Sequence, residues 1–343
     1  IVQSGCRSDL RNCHLRRHPE FALRAARPSD IPPRRVPGQY PTMNIALSGA
    51  SGFLGGFLTQ RLVAAGYSVR PLVRESAANA VNGAIVWNPS TGTLDPDALA
   101  DVDAVIHLAG EPIGQRWTRE RKRRIRESRV RGTETIARAM AAAGRPSLVL
   151  LSVSAVGVYG DRGDEVLDER SGVGTDFLAG IAAEWERATD PARDAGLRVV
   201  LMRTGVVLAT GGGALGRMLP VFKLGGGGPM GSGSQWMSWI TREDYGRGVQ
   251  FLLGNADAVG VVNLVAPNRV RNGDFIRVLG AVLHRPAILP LPSVALKLAF
   301  GEMADATLLA SQRVVPRRLE ELGFQFRFPS LAEGLQFELH RGD

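Results

Sequence analysis

The stretch Asn44-Ile45-Ala46-Leu47 runs directly into Ser48-Gly49-Ala50-Ser51-Gly52-Phe53-Leu54-Gly55, and here residue type and spacing suit a defined chemistry. An apolar strand ends, the chain turns through glycines, and a helix is expected to open at about Phe53. Gly49 permits the tight turn, Gly52 lets backbone approach a pyrophosphate, and Gly55 lets the helix pack against the strand. Ser51 lies within the same turn. The helix start adds free N–H groups and the positive end of a dipole, which together suit a dinucleotide's diphosphate. A glycine triplet alone also fits an ordinary strand-turn-helix. The flanks favour the dinucleotide: Leu54, Leu58, Leu62 and Val63 repeat at helical spacing, Gly66 stops the helix, and a second strand follows over residues 69–73.

That second strand ends in Arg74. In dinucleotide-binding folds an acid about 20 residues beyond the glycines holds the ribose 2′-hydroxyl, whereas a guanidinium suits a 2′-phosphate. Hydrogen bonds to a charged group contribute about 1.5–3 kcal/mol, enough to favour NADP over NAD by about ten- to a hundredfold. Glu75 is an awkward neighbour, able to take the ribose or repel the phosphate. The plainer alternative is a solvated arginine at a strand end.

Composition bounds what surrounds this turn. The chain has 343 residues, 44% of them hydrophobic. No apolar run approaches the ~18 residues of a membrane span, so a soluble, cytoplasmic protein is expected. Eight Arg against three acids in residues 1–42 account for +5 of the formal net charge of +9, leaving +4 for the remainder. Both cysteines, Cys6 and Cys13, lie in that leading segment, which excludes thiolate chemistry and cysteine-held metals from the body of the chain. Residues 1–42 read as a disordered or artefactual basic extension, with the natural start near Met43. The acids there, Glu20 among them, weaken the alternative of a targeting presequence. His107 and His284 have no partners at metal-ligand spacing, and packing roles are expected for both.

From Met43 to about residue 266 strands and helices alternate. Short, wholly apolar runs at 103–109, 147–153 and 197–203 read as strands buried on both faces, separated by helices over about 118–142 and 176–195. The expected fold is α/β: a Rossmann-type doubly wound parallel sheet over residues 43–266, with a smaller, mainly helical substrate lobe over 267–343. Residues 211–240, with glycine clusters at 211–213 and 225–228 around a helix at 214–224, break the pattern and should contribute to that lobe. Short extended pieces are expected at 287–289 and 324–328. The run 119–131 holds eight Lys or Arg and two Glu. Without interleaved aromatics it reads as a solvated helix face, not a nucleic-acid surface.

Further stretches resemble one family. The first strand-turn-helix, Val105-Ile106-His107-Leu108-Ala109-Gly110, Ser154-Ala155-Val156-Gly157-Val158-Tyr159-Gly160 and Trp239-Ile240-Thr241-Arg242-Glu243-Asp244 resemble the extended short-chain dehydrogenase/reductases of the NAD-dependent epimerase/dehydratase superfamily. The ending that begins Leu322-Gly323-Phe324 fits that superfamily as well, and Glu111-Pro112-Ile113, Arg116-Trp117-Thr118, Ser128 to Thr133, Arg203 to Leu208, Gly231 to Trp236 and Ser311 to Pro316 narrow a resemblance that covers about residues 43–337. They resemble an atypical subgroup with an extra C-terminal region, labelled sugar-nucleotide epimerase-like or cell-division-inhibitor-like. The resemblance implies NADP near Gly49, Gly52, Phe53, Leu54 and Gly55, with Arg74 at the 2′-phosphate. It also implies Leu108 and Ala109 along the crevice, Arg129 on the helix that follows, and Val207 over the nicotinamide side. The implied substrate is a small carbonyl or hydroxyl compound, a nucleotide sugar by family analogy.

The chemistry departs from that family. Its members pair a Tyr with a Lys four residues on; here Tyr40, Tyr67, Tyr159 and Tyr245 are followed at that spacing by Asn44, Pro71, Gly163 and Val249. The helix that should carry the pair begins Asp176-Phe177, and Phe177 cannot exchange a proton. The usual ~10²–10⁴-fold contribution of that acid–base pair is therefore missing. Ser154, at a strand end where the family's serine polarises a carbonyl, and Tyr159, as a surrogate acid, are the remaining catalytic candidates. The alternative for both is a structural role, and a catalytically silent NADPH-binding regulator is the rival to an oxidoreductase. Residues 225–239, with Gln235, Trp236 and Trp239, are expected to form a pocket wall facing Gln115, Arg116 and Trp117, the alternative for the tryptophans being core between the two lobes.

Overall fold

In the computed structural model, which describes residues 43–76 and 83–340, the first strand shows why a parallel sheet forms. Along β1 (Asn44–Ser48), Ile45 and Leu47 point into one core and Ala46 into another. A strand apolar on both faces needs cover on both, and crossover helices supply it. The chain continues through α1 (Phe53–Ala64), β2 (Ser68–Val73), β3 (Ile85–Asn88), β4 (Thr93–Leu94) and β5 (Ala104–His107). It then runs through α2 (Arg119–Ala142), β6 (Val149–Ala155), the short β7 (Val166–Leu167), α3 (Phe177–Arg187), α4 (Asp190–Asp194) and β8 (Arg198–Thr204). The eighth strand of the main sheet, β12 (Gly260–Leu264), follows α6 (Arg242–Gly254). Residues 1–42, with the reading given to them, lie outside the described residues.

The sheet runs β12-β8-β6-β5-β1-β2-β3-β4 and is parallel throughout except where β4 turns back on β3. This is the expected doubly wound, Rossmann-type topology. One face is covered by α1 and α6, through Leu58, Leu62, Tyr245, Val249 and Leu252. The other is covered by α2 and α4, through Ile136, Met140 and Ala192. Ala104, Ile106, Leu151, Val200 and Met202 alternate with Val105, Leu150, Val199 and Leu201 between the two cores.

A third core lies outside the sheet. It joins β9 (Val206–Leu208), α5 (Gly213–Lys223) and β11 (Trp239–Thr241) to α7 (Asn272–Leu283) and α10 (Leu331–His340), through Leu215, Leu219, Phe222, Trp239, Phe275, Leu279, Leu331 and Leu335. The paired strands β10 (Trp236–Met237) and β13 (Val270–Arg271) lie beside it, and α8 (Ser293–Phe300) follows. β14 (Arg313–Val314) then pairs with β7 ahead of α9 (Arg317–Glu321).

The helix expected over 176–195 is two helices. Pro191 sits in the first turn of α4, where its missing N–H is harmless but where a continuous helix could not run through. The extended pieces expected at 287–289 and 324–328 form no strands. Leu289 N–H instead donates to Gly227 O at 3.0 Å. The Asp244 carboxylate takes the N–H groups of Arg327 and Phe328 at 2.9 and 2.8 Å, replacing a ladder with a side chain.

Two glycines make the packing testable. A Cβ on Gly55 would meet Gly49 O at 2.0 Å and Ala50 Cα at 2.8 Å, backbone atoms that cannot swing aside. Gly55→Ala is expected to destabilise the fold by about 1–3 kcal/mol. Gly180 lies inside α3 with nothing within 4 Å of a Cβ, so Gly180→Ala should stabilise by about 0.5–1 kcal/mol. Chemical denaturation of both variants checks the pair, and shifts of the same sign would contradict it.

Candidate functional site

Strand order reverses between β1 and β5, since the chain adds β2 on one side of β1 and β5 on the other. Doubly wound sheets bind ligands in the crevice above such a point. Here one side chain ties its two walls. Ser48 Oγ lies 2.6 Å from His107 Nδ1 and accepts from the N–H groups of Leu108 and Ala109 at 3.1 and 3.3 Å. Gly49, at φ +73°, follows immediately, and a Cβ there would stand 3.0 Å from Ala109 N. The turn therefore lies against the exit of β5, with Leu108 and Ala109 half-buried beside it. His107 is fully buried, and burial first, then the Arg129 charge, pull its imidazole down to about 3.

The turn closes with Gly52 N–H donating to Gly49 O at 2.9 Å, and Ser51 and Gly52 are exposed. Gly52 is the N-cap of α1, with no side-chain cap and no acid in the first turn. Free N–H groups, a positive dipole end and absent carboxylates fit a diphosphate. Phe53, half-buried beside Leu54, packs its ring on backbone that only glycine allows: a Cβ on Gly212 would come within 2.6 Å of Phe53 Cδ2. Part of the 211–213 glycine cluster thus seats Phe53. Val207 is buried next to it, its carbonyl 3.3 Å from a Cβ placed on Gly213.

Arg74 is exposed just past β2, and among the described residues its guanidinium makes no hydrogen bond or ion pair. Arg129 is held tightly. It donates to Glu111 O at 3.0 Å and Ile125 O at 3.2 Å, stacks 5.0 Å over Trp185 and faces the α-carbon of Gly110. Burial pulls it down to about 10, with the Glu111 charge acting the other way. Its neighbours in the basic run are largely ion-paired, Arg121 with Glu111, Lys122 with Glu302, Arg124 with Glu120 and Arg126 with Glu184.

The two hydroxyls read as catalytic candidates lie in a buried network. Ser154 Oγ–H donates to Glu186 Oε1 at 2.7 Å, and Glu186 is bridged by Arg203 through two bonds of 2.8 Å. Tyr159 is fully buried, donates to Asn263 Oδ1 at 2.8 Å and accepts from Arg203 at 3.0 Å. Burial pushes its phenol up to about 12, against the Arg203 charge. This geometry speaks for the structural alternative: both oxygens are enclosed, and Tyr159 is further from titrating than a free phenol. Phe177, at the start of α3, packs tilted against Trp117 with ring centroids 5.3 Å apart and carries the Lys122 ammonium 4.5 Å over its ring.

The expected pocket wall is partly core. Trp239 is fully buried, and Gln235 spends its amide N–H groups on Met230 O and Leu308 O, both at 3.0 Å. Trp236 is half-buried between Arg271 and Arg313, with its indole N–H on Asp164 at 2.6 Å. Trp117 bonds Ile113 O at 2.9 Å, Arg116 bonds Leu298 O at 2.8 Å, and Gln115 is exposed. Sequence reasoning missed Ser48 and Glu186 and gave His107 only packing. Glu186 carries no local signal, since in Ala-Glu-Trp-Glu-Arg it looks like a solvated helix residue.

Residues 45–264 match the NAD dependent epimerase/dehydratase family, and residues 291–337 match a domain of unknown function, DUF1731. The epimerase family protein Mb2239 of Mycobacterium bovis is 46% identical over 298 residues, covering 87% of this chain and 98% of that protein. Human epimerase family protein SDR39U1 is 36% identical over 298 residues, covering 86% and 99%. The crystal structure of human SDR39U1 with NADPH superposes with a TM-score of 0.79 at 34% identity, over 87% of this chain and 99% of that one. The nucleoside-diphosphate sugar epimerase of Corynebacterium glutamicum gives 0.72 at 36% identity, over 87% and 58%. The chain belongs to the NAD-dependent epimerase/dehydratase family.

Proposed function

We propose that the chain is an NADP(H)-dependent oxidoreductase of the extended short-chain type, acting in the cytoplasm on a small carbonyl or hydroxyl compound of the nucleotide-sugar class. The observation that carries the cofactor is the pairing of an uncapped, acid-free α1 start after Gly49 and Gly52 with an exposed Arg74 one strand away that has no partner among the described residues. Human SDR39U1, solved with NADPH, supports the choice of nicotinamide nucleotide, and the nucleoside-diphosphate sugar epimerase supports the substrate class. In this reading the diphosphate rests on residues 49–55 and the 2′-phosphate meets Arg74. Leu108, Ala109, Arg129 and Val207 line the remainder of the cofactor's path. Bound there, the nicotinamide supplies hydride chemistry.

A second reading, a silent NADPH-binding regulator, is favoured by one observation. Ser154 and Tyr159 are committed to Glu186, Arg203 and Asn263, and Phe177 opens α3. Labelled NADPH incubated with a panel of nucleotide sugars and simple carbonyl compounds separates the two. Stereospecific transfer of label supports the enzyme, and tight binding without transfer supports the regulator.

Arg74→Ala should weaken NADPH binding by about ten- to a hundredfold and leave NADH binding within about twofold. Titration of both nucleotides checks this, and equal losses would refute the 2′-phosphate role. Tyr159→Phe should keep NADPH affinity and any hydride transfer while lowering stability by about 1–3 kcal/mol, because Asn263 and Arg203 lose a buried partner. Abolished transfer in a well-folded variant would instead make Tyr159 the acid.

A further inference from the structure

The hydrogen count around Ser48 favours one arrangement. A hydroxyl has a single proton and two lone pairs. Leu108 and Ala109 can only donate through their N–H groups; Ala109 N–H reaches Ser48 Oγ, and Leu108 N–H is shared between that oxygen at 3.1 Å and Ser48 O at 3.3 Å. With both N–H groups approaching that oxygen, the hydroxyl proton is best placed toward the third neighbour, His107 Nδ1, at 2.6 Å. In that arrangement the imidazole is neutral, with its own proton on Nε2.

That Nε2–H is buried and has no hydrogen-bond partner among the described residues. The groups around the ring offer none: Trp87 of β3 meets it edge-on at 6.0 Å, and the α-carbon of Gly132 in α2 faces Cε1. Ser152 of β6, in register with His107, has a buried and unpartnered hydroxyl of its own. Arg129 of α2 is the charged group acting on the ring. An unpaired buried donor is unfavourable, and a leucine in the same space would carry none. An imidazole kept at that cost is explained by its other nitrogen.

We propose that His107 is a positioning residue for dinucleotide binding. By taking the Ser48 hydroxyl proton it commits that oxygen to the N–H groups of Leu108 and Ala109, and so holds the β5 exit against Gly49 at the crevice. The inference rests on the NADP(H) reading for its ligand, but the proton arrangement is a property of the free protein. With a leucine at 107 the hydroxyl proton loses its acceptor and competes with the two N–H groups for space around one oxygen. An asparagine can place Oδ1 where Nδ1 stands and preserve the arrangement.

The test uses the full chain, with NADPH as probe and ¹⁵N-labelled histidine. The His107 ring nitrogens, assigned by their absence from His107→Asn, should report a neutral, Nε2-protonated ring from pH 8 to pH 5, over which an exposed histidine titrates. His107→Asn should bind NADPH within about threefold of wild type, and His107→Leu should bind about tenfold or more weakly while melting within a few degrees of it. A core-filling role predicts the reverse for His107→Leu, lower stability at unchanged affinity, and that result would overturn the proposal. So would a charged or Nδ1-protonated ring in the wild type. Should His107→Leu not fold, the wild-type ring spectrum and the affinity of His107→Asn decide. If the wild type itself binds no NADPH, the cofactor reading fails visibly, while the spectrum still reports where the Ser48 proton lies.

Discussion

The structure depends on one short-range constraint: the backbone at Gly49 and the backbone at Leu108–Ala109 must lie in contact. They come from strands separated in sequence by three further strands and a helix. Ser48 joins them by accepting two N–H groups of the neighbouring strand end at 3.1 and 3.3 Å. Gly49 then needs φ +73° to turn without driving a side chain into Ala109. Gly55 must likewise lack a side chain, because α1 returns over the same turn. The crevice follows from these approaches as much as from the topology.

The same logic extends across the sheet. Towards the carboxyl ends of the strands, the face covered by α2 and α3 changes from apolar to polar: Ser48, His107, Ser152, Ser154, Arg203 and Asn263 all fall on the alternation that carries Ala46, Val105, Leu150 and Leu201 further down. A buried polar row needs partners drawn from the covering layer. Glu186 of α3 supplies them for Ser154 and Arg203, and Tyr159 joins Arg203 to Asn263. Burial opposes the Arg203 charge, but its contacts with Glu186 and Tyr159 together more than offset it and hold the guanidinium above its ordinary range. The Ser154 and Tyr159 hydroxyls are here part of what fastens α3 to the sheet.

What the sequence made legible was whatever is encoded locally. Strands buried on both faces announce themselves as short apolar runs, and the first glycine turn carries its own geometry, so the sheet, the switch point and the glycine turn were readable. Partners between strands were not. Nothing in the order of residues says that Ser48 meets His107, or that Glu186 turns inward while Glu184, two residues earlier, pairs with Arg126 at the surface. The glycines at 211–213 read only as a break in the pattern that contributes to the substrate lobe, but Gly212 lacks a side chain because the Phe53 ring occupies that space. Gln235 and Trp239 looked like pocket residues because amides and indoles serve ligands and cores alike, and only burial separates the two uses.

The C-terminal region is bound into this arrangement and is no separate appendage. Asn263, in the last strand of the main sheet, donates to Val315 O at 2.9 Å, and Glu169 accepts from both Asn263 N–H and Arg318 N–H, at 3.0 and 3.1 Å. β14 extends the pairing through Val166 and Leu167. On the other side of the crevice, Arg116 reaches Leu298 O, Arg217 reaches Gly114 O, and Lys122 pairs with Glu302. The loop between β5 and α2 is thus held by the segment that follows the third core, at the end of the sheet where α3 begins with Phe177. A chain without the usual Tyr–Lys pair still presents there an aromatic floor, a cation over it and a carboxylate beside the cation. Those groups come from three separate stretches of chain, so the C-terminal region has to dock before this part of the crevice acquires its charge pattern.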